Sequence, residues 1–261
     1  MFLESQLWDV CGNRLVVAMI EASDEELLKG ASAAEHCHDR GIRVADGVAL
    51  FARREGWWRT CFYNPDGSFE ALCGNSLLAM ASMSLRAGEE AEVRPFARES
   101  VRINRSAEGV GATSQGLVRS CTLNLPGIDA VLWDTGSPHA VVHVGDVAQV
   151  DLPALARQAA GSTDANLTLW SDAGHEVRAR TYERGVEAET RACGTGALAV
   201  ALDVRRPGTL TLRYPGGVYR IEHHGEPQPG TILRWTMRVD AADVRALAPQ
   251  QTQDVLSTTA R

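Results

Sequence analysis

The feature that most constrains this chain is an internal repeat centred on two cysteines. The stretch FYNPDGSFEALCGNSLLAMA begins at Phe62, and TYERGVEAETRACGTGALAVA begins at Thr181. In both stretches a strand-like segment is followed by a turn, a Cys-Gly pair and a run of small and apolar residues typical of a helix. The two cysteines, Cys73 and Cys193, lie 120 positions apart in a chain of 261 residues. A repeat at about half the chain length predicts two similar lobes related by an approximate two-fold axis.

Composition and charge narrow the class of protein. Hydrophobic residues make up 44% and charged residues 23%, as in ordinary globular proteins. The net charge is −7 and the Lys and Arg residues are scattered, which argues against a nucleic-acid partner and a membrane-surface helix. No apolar run approaches the roughly 18 residues of a membrane span, and the first residues contain Glu4 and no basic region. We expect a cytoplasmic enzyme without a signal peptide.

Other segments alternate between strand and helix patterns. Helices are predicted over 24–38, 73–88 and 151–161, and a polar, frayed tail over 250–261. Strands are predicted over 14–22, 47–54, 57–64, 91–125, 130–146, 165–172, 176–185, 209–217 and 231–239. The Asn-Pro-Asp-Gly-Ser turn at 64–68 leads towards Cys73.

A cysteine at the mouth of a helix has a specific chemistry. The N-terminus of a helix presents unpaired N–H groups and the positive end of the helix dipole. This environment is expected to lower the pKa of a thiol from its usual value of about 8.5 and to bind a carboxylate. Two such helices facing each other would hold one carboxylate between two sulfur atoms. That arrangement suits inversion of a carbon α to a carboxylate, with Cys73 and Cys193 exchanging roles as base and acid and with no pyridoxal group, other cofactor or metal.

Several motifs together resemble the diaminopimelate epimerase family. NPDGSFEALCGN and YERGVEAETRACGTGALA are similar to the two cysteine signatures of that family. DVCGNRLVV (9–17), DRGIRVADG (39–47), DTGSPHAVVHV (134–144) and YPGGVYRIE (214–222) resemble further family segments in the same order. The resemblance therefore runs through most of the chain.

The resemblance implies an α+β fold of two pseudo-symmetric lobes, each an antiparallel sheet wrapped around a central helix, with the active site in the cleft between them. The N-terminal lobe would span 1–117, the C-terminal lobe 118–240, and residues 241–261 would return to the N-terminal lobe. Cys73 and Cys193 would be the catalytic pair, and His139 and Glu183 would tune their pKa values. The implied substrate contacts are Asn13, Asn64, Gly74, Asn75, Asn166, Arg184, Gly194 and Thr195. The family also implies a small amino-acid substrate, diaminopimelate, and a homodimer.

Four departures from the family pattern indicate an altered pocket for the distal end of the substrate. Ser137 replaces an asparagine, Ser76 replaces a glycine and Leu78 replaces an arginine, and the loop before Cys193 is one residue longer. Two alternatives therefore stay open. The chain could racemise a different amino acid, or it could be a non-catalytic binding protein on the same fold.

Blander interpretations compete for single residues. Arg184 could form a surface ion pair, Asn64 could be a turn residue and His139 could be a packed strand residue. The DTGS stretch at 134–137 resembles half of an aspartic-protease site, but no second Asp-Thr/Ser-Gly motif accompanies it. The HCHD stretch at 36–39 and the His pair at 223–224 lack the spacing of a zinc site, and no nucleotide-binding glycine motif is present.

Overall fold

A computed structural model describes residues 2–29, 46–117 and 119–247. The helix predicted over 24–38 begins as a short helix at Asp24, where the Ser23 hydroxyl and the Glu26 carboxylate form a capping box. The rest of that prediction, the HCHD stretch and the polar tail over 250–261 lie outside the described residues. Within the described part of the chain, no helix has the length and apolar character needed to cross a membrane.

The N-terminal half of the chain contains eight strands and two helices among its described residues. In chain order these are β1 (Phe2–Val10), β2 (Asn13–Ile20), α1 (Asp24–Leu28), β3 (Gly47–Arg53), β4 (Trp57–Tyr63), β5 (Phe69–Glu70), α2 (Gly74–Ser84), β6 (Glu90–Pro95), β7 (Val101–Arg105) and β8 (Gly109–Leu117).

The C-terminal half repeats this order. It contains β9 (Arg119–Leu125), β10 (Ile128–Asp134), β11 (Pro138–His143), α3 (Leu152–Ala159), β12 (Asn166–Asp172), β13 (Val177–Glu183), β14 (Ala188–Thr190), α4 (Gly194–Val204), β15 (Thr209–Tyr214), β16 (Gly217–His224), β17 (Ile232–Asp240) and β18 (Val244–Ala246). Two short 3-10 helices lie at Val147–Gln149 and Ala241–Asp243.

The pairing of strands shows the repeat directly. In the first half β2 is parallel to β3, β3 is antiparallel to β4, and β4 pairs with both β5 and β6. In the second half β11, β12, β13, β14 and β15 pair in the same way, strand for strand. Each half then ends in an antiparallel series, β6–β7–β8 and β15–β16–β17.

The two halves meet through their last equivalent strands. β8 and β17 pair antiparallel, and Ala112 lies opposite Met237 at the middle of that ladder. Because the equivalent strands pair with each other, an approximate two-fold axis passes between them. β18 adds a second connection by pairing with β1. The described strands therefore form one continuous hydrogen-bonded sheet system.

The expectation of antiparallel sheets holds for most pairings but not for all of them. Four pairs are parallel, namely β2 with β3, β4 with β6, β11 with β12, and β13 with β15. The last pair in each half is connected through the helix that follows the cysteine. A helical crossover returns the chain to the same end of the sheet, so the two strands it connects run parallel.

The two central helices form the core. Residues 74–81 of α2 and 194–202 of α4 are all buried. Their sequences are small and apolar around the whole circumference, which is typical of a helix covered on every side. α2 packs on β1, β2, β7, β8 and β18, whereas α4 packs on β10, β11, β12, β13 and β16. Each half therefore wraps its own strands around its own helix, and β18 from the end of the chain joins the strands around α2.

Candidate active site

The two helices that carry the cysteines meet at their N-termini. Cys73 and Cys193 are the N-cap residues of α2 and α4, and both have extended backbone conformations. Gly74 and Gly194 are in contact, because a Cβ atom built on Gly74 would lie 3.1 Å from the Gly194 Cα atom. A Cβ atom at either position would make an unusually tight contact, so glycine suits this close approach. The structure thus brings the two thiol-bearing residues to one place from opposite halves of the chain.

Met237 lies beneath the junction of the two helices. Its Cε atom would lie 3.1 Å from a Cβ on Gly74, and its Sδ atom 3.2 Å from a Cβ on Gly194. Met237 is buried and sits on β17, next to the approximate two-fold axis. The junction is therefore supported by the strand pair that joins the halves.

A cleft opens above this junction and contains most of the residues predicted from the sequence. Its walls include eleven of those residues: Asn13, Asn64, Cys73, Gly74, Asn75, Asn166, Glu183, Arg184, Cys193, Gly194 and Thr195. His139 does not line the cleft, because it is fully buried behind Thr195. Cys73 and Cys193 are both reduced, with Cys73 partly exposed and Cys193 buried.

The sulfur of Cys193 lies within reach of two hydrogen-bond donors from its own helix. The Gly196 N–H donates to Cys193 Sγ at 3.4 Å, and the Thr195 hydroxyl lies 3.4 Å from the same sulfur. Thr195 Oγ1 in turn lies 3.0 Å from Nε2 of His139. Nδ1 of His139 lies 3.0 Å from the hydroxyl of Thr168 on β12. His139 is therefore connected to Cys193 through Thr195 and not directly.

Burial decides the charge of these groups. Desolvation lowers the pKa of His139 to about 3, so its imidazole is neutral. Desolvation and the nearby Glu183 carboxylate raise the pKa of Cys73 to about 12 and raise the pKa of Cys193 well above its usual value. The expectation that the helix N-termini lower the thiol pKa values is therefore wrong for the protein alone. The N–H groups do act in the expected direction, but desolvation outweighs them.

Glu183 ends β13 beside the two sulfur atoms. The Thr190 hydroxyl donates to its Oε1 atom at 2.5 Å. Desolvation raises the pKa of Glu183 to about 7, although hydrogen bonds from Thr190 and Cys193 act in the opposite direction. A carboxyl group with this pKa changes its protonation state near neutrality, which suits a group that exchanges protons with a thiol.

Asn13 and Asn75 bind backbone and tyrosine groups around the second cysteine. Asn13 Oδ1 accepts hydrogen bonds from the N–H groups of Arg191 and Ala192, at 3.1 and 3.2 Å, and its Nδ2 donates to the Ala192 carbonyl. Asn75 Oδ1 accepts a hydrogen bond from Tyr219 at 2.5 Å. Asn13 therefore fastens the segment before Cys193 to β2 of the other half.

The residues predicted at the distal end of the substrate are held in place by hydrogen bonds and an ion pair within the protein. Asn166 Oδ1 accepts from the Arg184 N–H at 2.9 Å, and Asn166 Nδ2 donates to Ser137 Oγ at 2.9 Å. The Arg184 guanidinium pairs with Asp164, and Asn64 Nδ2 donates to Ser68 Oγ at 3.0 Å. Ser137, which replaces the family asparagine, is thus one of the hydrogen-bond partners of Asn166.

Sequence reasoning missed further residues of the cleft wall. These are Leu15, Asp46, Phe62, Glu70 and Leu72. Asp46 Oδ2 accepts a hydrogen bond from the Arg14 N–H at 2.8 Å, and desolvation raises the pKa of both Asp46 and Glu70. The signal for Glu70 was its place three residues before Cys73, which matches the place of Thr190 before Cys193.

Comparison with known sequences identifies relatives of this chain. No protein-family model matches it. It is 32% identical over 228 residues to diaminopimelate epimerase from Thermobifida fusca, covering 74% of this chain and 82% of the relative. It is 33% identical over 194 residues to the enzyme of that name from Gemmatimonas aurantiaca, covering 66% of this chain and 70% of the relative. The chain belongs to the diaminopimelate epimerase family. It is accordingly an isomerase of the amino-acid epimerase and racemase class.

Solved structures with much lower sequence identity share the fold of this epimerase-family chain. A probable proline racemase from Agrobacterium radiobacter K84 superposes with a TM-score of 0.64 at 17% identity, covering 95% of both chains. A hydroxyproline epimerase from Agrobacterium vitis superposes with a TM-score of 0.63 at 16% identity, covering 97% of this chain and 96% of the other. These likenesses support the α+β architecture and not a particular substrate.

Proposed function

We propose that this protein inverts the α-carbon of an amino acid by a two-base mechanism in which Cys73 and Cys193 are the catalytic residues. The observation that supports this most strongly is the junction of α2 and α4. Two cysteines cap two helices whose first glycines are in contact, and both cysteines line one cleft. A thiol on each side of one small site is what inversion at a single carbon requires.

The helix N-termini supply the binding site for the α-carboxylate. The backbone N–H groups of Gly74, Asn75, Gly194 and Thr195 would hold the carboxylate between the helices. One cysteine, as thiolate, removes the α-proton, and its sulfur becomes a thiol. The electron pair left on the α-carbon is delocalised into the carboxylate, where the N–H groups stabilise the added charge. The thiol on the opposite face then donates its proton to the α-carbon, so the two sulfur atoms exchange protonation states.

Formation of the thiolate requires a proton acceptor and a favourable charge nearby, since both thiol pKa values are raised. Glu183 is placed to accept a proton from Cys193, with which it shares a hydrogen bond. The α-ammonium group of an amino acid would add a positive charge close to Glu183 and the sulfur atoms, and this charge favours the thiolate. Substrate binding and thiolate formation are thereby coupled.

Our proposed substrate is LL- or meso-diaminopimelate. Asn64, Asn166 and Arg184 are retained and line the same cleft, which supports a substrate with a polar distal end. The family membership also supports this choice. We further propose that the protein acts as a cytoplasmic homodimer in lysine biosynthesis and uses no cofactor.

A second candidate, another amino acid with a distal cation, is favoured by Glu70. This carboxylate lies in the cleft wall, whereas the Arg184 guanidinium already pairs with Asp164. Arg98 and Arg184 are the charges that most lower the pKa of Glu70, against the effect of desolvation. A distal ammonium or guanidinium group would lie well against Glu70, and it would not need the distal carboxylate of diaminopimelate.

Deuterium incorporation at the α-carbon in D₂O, followed by mass spectrometry, tests both candidates. The substrates to compare are LL- and meso-diaminopimelate, lysine, arginine and the other common amino acids. We expect exchange with diaminopimelate, and exchange with lysine or arginine alone would favour the second candidate. Exchange with none of them would contradict the proposed function. Cys73→Ala and Cys193→Ala are the matched controls, and each should remove epimerisation.

A further inference from the structure

A row of buried polar groups runs from the back of the C-terminal half to the sulfur of Cys193. We call the following five residues the polar row: Tyr214, Thr181, Thr168, His139 and Thr195. The Thr168 and Thr181 hydroxyls lie 3.0 Å apart across β12 and β13, and the Tyr214 hydroxyl lies 3.4 Å from Thr181. Together with the contacts of His139 described above, these distances form an unbroken series that ends at Cys193 Sγ.

The buried end of the polar row determines which group donates and which accepts in each of its hydrogen bonds. Tyr214 is buried, and within the described residues Thr181 is the hydrogen-bond partner of its hydroxyl. A buried hydroxyl proton needs an acceptor, so Tyr214 donates to Thr181. Thr181 must then donate to Thr168, and Thr168 to Nδ1 of His139. Because the imidazole is neutral and Nδ1 accepts, its one proton lies on Nε2 and is donated to Thr195.

The N-terminal half shows that the fold does not need this row. His139 pairs with Trp133 of the preceding strand and with Asn166 of the next strand. Leu15 has the same place in the first half, opposite Trp8 and Gly47.

The strand registers also place apolar residues of the first half at the positions equivalent to the rest of the polar row. Thr168 and Thr181 lie opposite each other on β12 and β13, and their equivalents on β3 and β4 are Ala49 and Phe62. Tyr214 corresponds to Pro95 by the pairing of β13 with β15 and of β4 with β6. The polar row is therefore specific to the side of Cys193.

A side chain at position 196 would collide with residues of the polar row, and Gly196 has none. A Cβ atom on Gly196 would lie 2.9 Å from Thr181 Oγ1, 3.1 Å from the Tyr214 hydroxyl and 3.2 Å from His139 Cε1. The equivalent residue in the first half is Ser76, whose side chain is accommodated and donates to the Cys73 carbonyl at 2.8 Å. The absence of a side chain at 196 thus preserves the contacts of the row.

We propose that the polar row is a one-way series of hydrogen-bond donors that holds His139 as its Nε2–H tautomer and directs the Thr195 hydroxyl to the Cys193 thiolate. Thr168 and Thr181 are positioning residues in this scheme, because they act on the sulfur through His139 and Thr195. The row makes the two cysteines unequal, since Cys73 has backbone N–H groups and Ser76 but no such series. This inference deepens the proposed function and rests on it for the catalytic role of the thiolate.

Other charged and titratable groups also face Cys193, and they must be held constant in any test. Glu183 from β13 and Cys73 from α2 oppose ionisation of Cys193. Tyr214 and Tyr219 lie close enough to interact with its charge, and Asp134 interacts with His139. The variants below leave Glu183, Cys73, Tyr219 and Asp134 unchanged.

The first arm of the test is ¹⁵N NMR of histidine-labelled protein without substrate, with His139→Leu used to assign the signal of His139. We expect the Nε2–H tautomer across the neutral pH range. Thr168→Val should add the Nδ1–H tautomer because it removes the donor to Nδ1. Tyr214→Phe should leave the tautomer unchanged, since Thr181 then becomes the end of the row. A dominant Nδ1–H tautomer in the unmodified protein would overturn the proposal.

The second arm is kinetic and uses the substrate found by the exchange screen. Thr168→Val should lower kcat about tenfold with KM unchanged, which corresponds to losing one hydrogen bond to a charged group. Thr60→Val is the matched control, because Thr60 is a buried threonine of the other half that donates to the Leu50 carbonyl at 3.1 Å. Equal kcat values in the two variants would overturn the role of the row in catalysis. If no substrate is turned over but the tautomer is as expected, the row stands and the proposed function fails.

Discussion

The surroundings of the two cysteines differ far more than the backbones that carry them. Both cysteines cap eleven-residue helices, and both helices follow the same series of strands. Behind Cys193 lie His139, Thr168 and Thr181, and at the equivalent places behind Cys73 lie Leu15, Ala49 and Phe62. Packing and topology are satisfied by either set. The difference teaches that the topology does not require the polar set, which is what a role at one sulfur would predict.

Among the substitutions considered, a change at Gly196 should have the largest effect on the surroundings of Cys193. Gly196→Ser places in the second half the residue that Ser76 provides in the first. We expect a loss of about 1–3 kcal/mol in the free energy of unfolding from overpacking, and a fall in kcat of at least roughly tenfold. Urea denaturation and steady-state kinetics measure both effects. The reverse change, Ser76→Gly, removes one hydroxyl near Cys73 and should lower kcat less than Gly196→Ser does. An equal loss in the two variants would contradict the asymmetry.

The next largest effect is expected at Glu183. The two halves differ at this position, because Asn64 occupies the equivalent place in the first half. The raised pKa of about 7 means that Glu183 becomes protonated as the pH falls through neutrality. If ionised Glu183 accepts the thiol proton, kcat/KM should fall below about pH 7. Glu183→Gln should lower kcat and remove this acid limb from the pH profile. An unchanged limb near pH 7 in the variant would assign it to another group.

The buried His139 should have a smaller effect, on the pH dependence of the free energy of unfolding. Its pKa of about 3 lies below the usual value of 6.5, so the unfolded chain binds the proton more tightly than the folded one. His139 therefore destabilises the fold increasingly as the pH falls from about 6.5 towards 3, and contributes no such loss above 6.5. His139→Leu, which installs the residue found at the equivalent place, should flatten this dependence. Urea denaturation of both proteins at several pH values measures the slopes, and parallel slopes would count against a neutral buried imidazole.

The repeat, the two cysteine helices and nine of the eleven cleft residues could be predicted because they lie in two local motifs. Asn13 and Asn166 lie outside those motifs and were expected from the family resemblance. Asp46 was missed, since its place in the cleft depends on strands that approach from elsewhere in the chain. Glu70 lies inside the first motif, and its match with Thr190 marks its place in the cleft only once the strand pairing is known. The sign of the thiol pKa shift could not be predicted either. It depends on how much water the closed junction excludes, and that is a property of tertiary packing.

The contact between His139 and Thr168 also depends on tertiary structure and could not be predicted. Nothing in the sequence near either residue marks the other as a partner, because they are brought together by the register of β11, β12 and β13. The equivalence of these residues with Leu15 and Ala49 also appears only once the strand registers are known. Local sequence thus predicted the symmetric part of the site, and the asymmetric part required the fold.

The central claim is that the two thiols act on opposite faces of one carbon. The most direct test measures α-deuterium exchange of each separate isomer of the substrate in D₂O, with Cys73→Ala and with Cys193→Ala. Both variants should lose epimerisation, and each should retain slow exchange of only one isomer, with opposite preferences in the two variants. Full epimerisation in either variant, or the same isomer preference in both, would contradict the two-cysteine account.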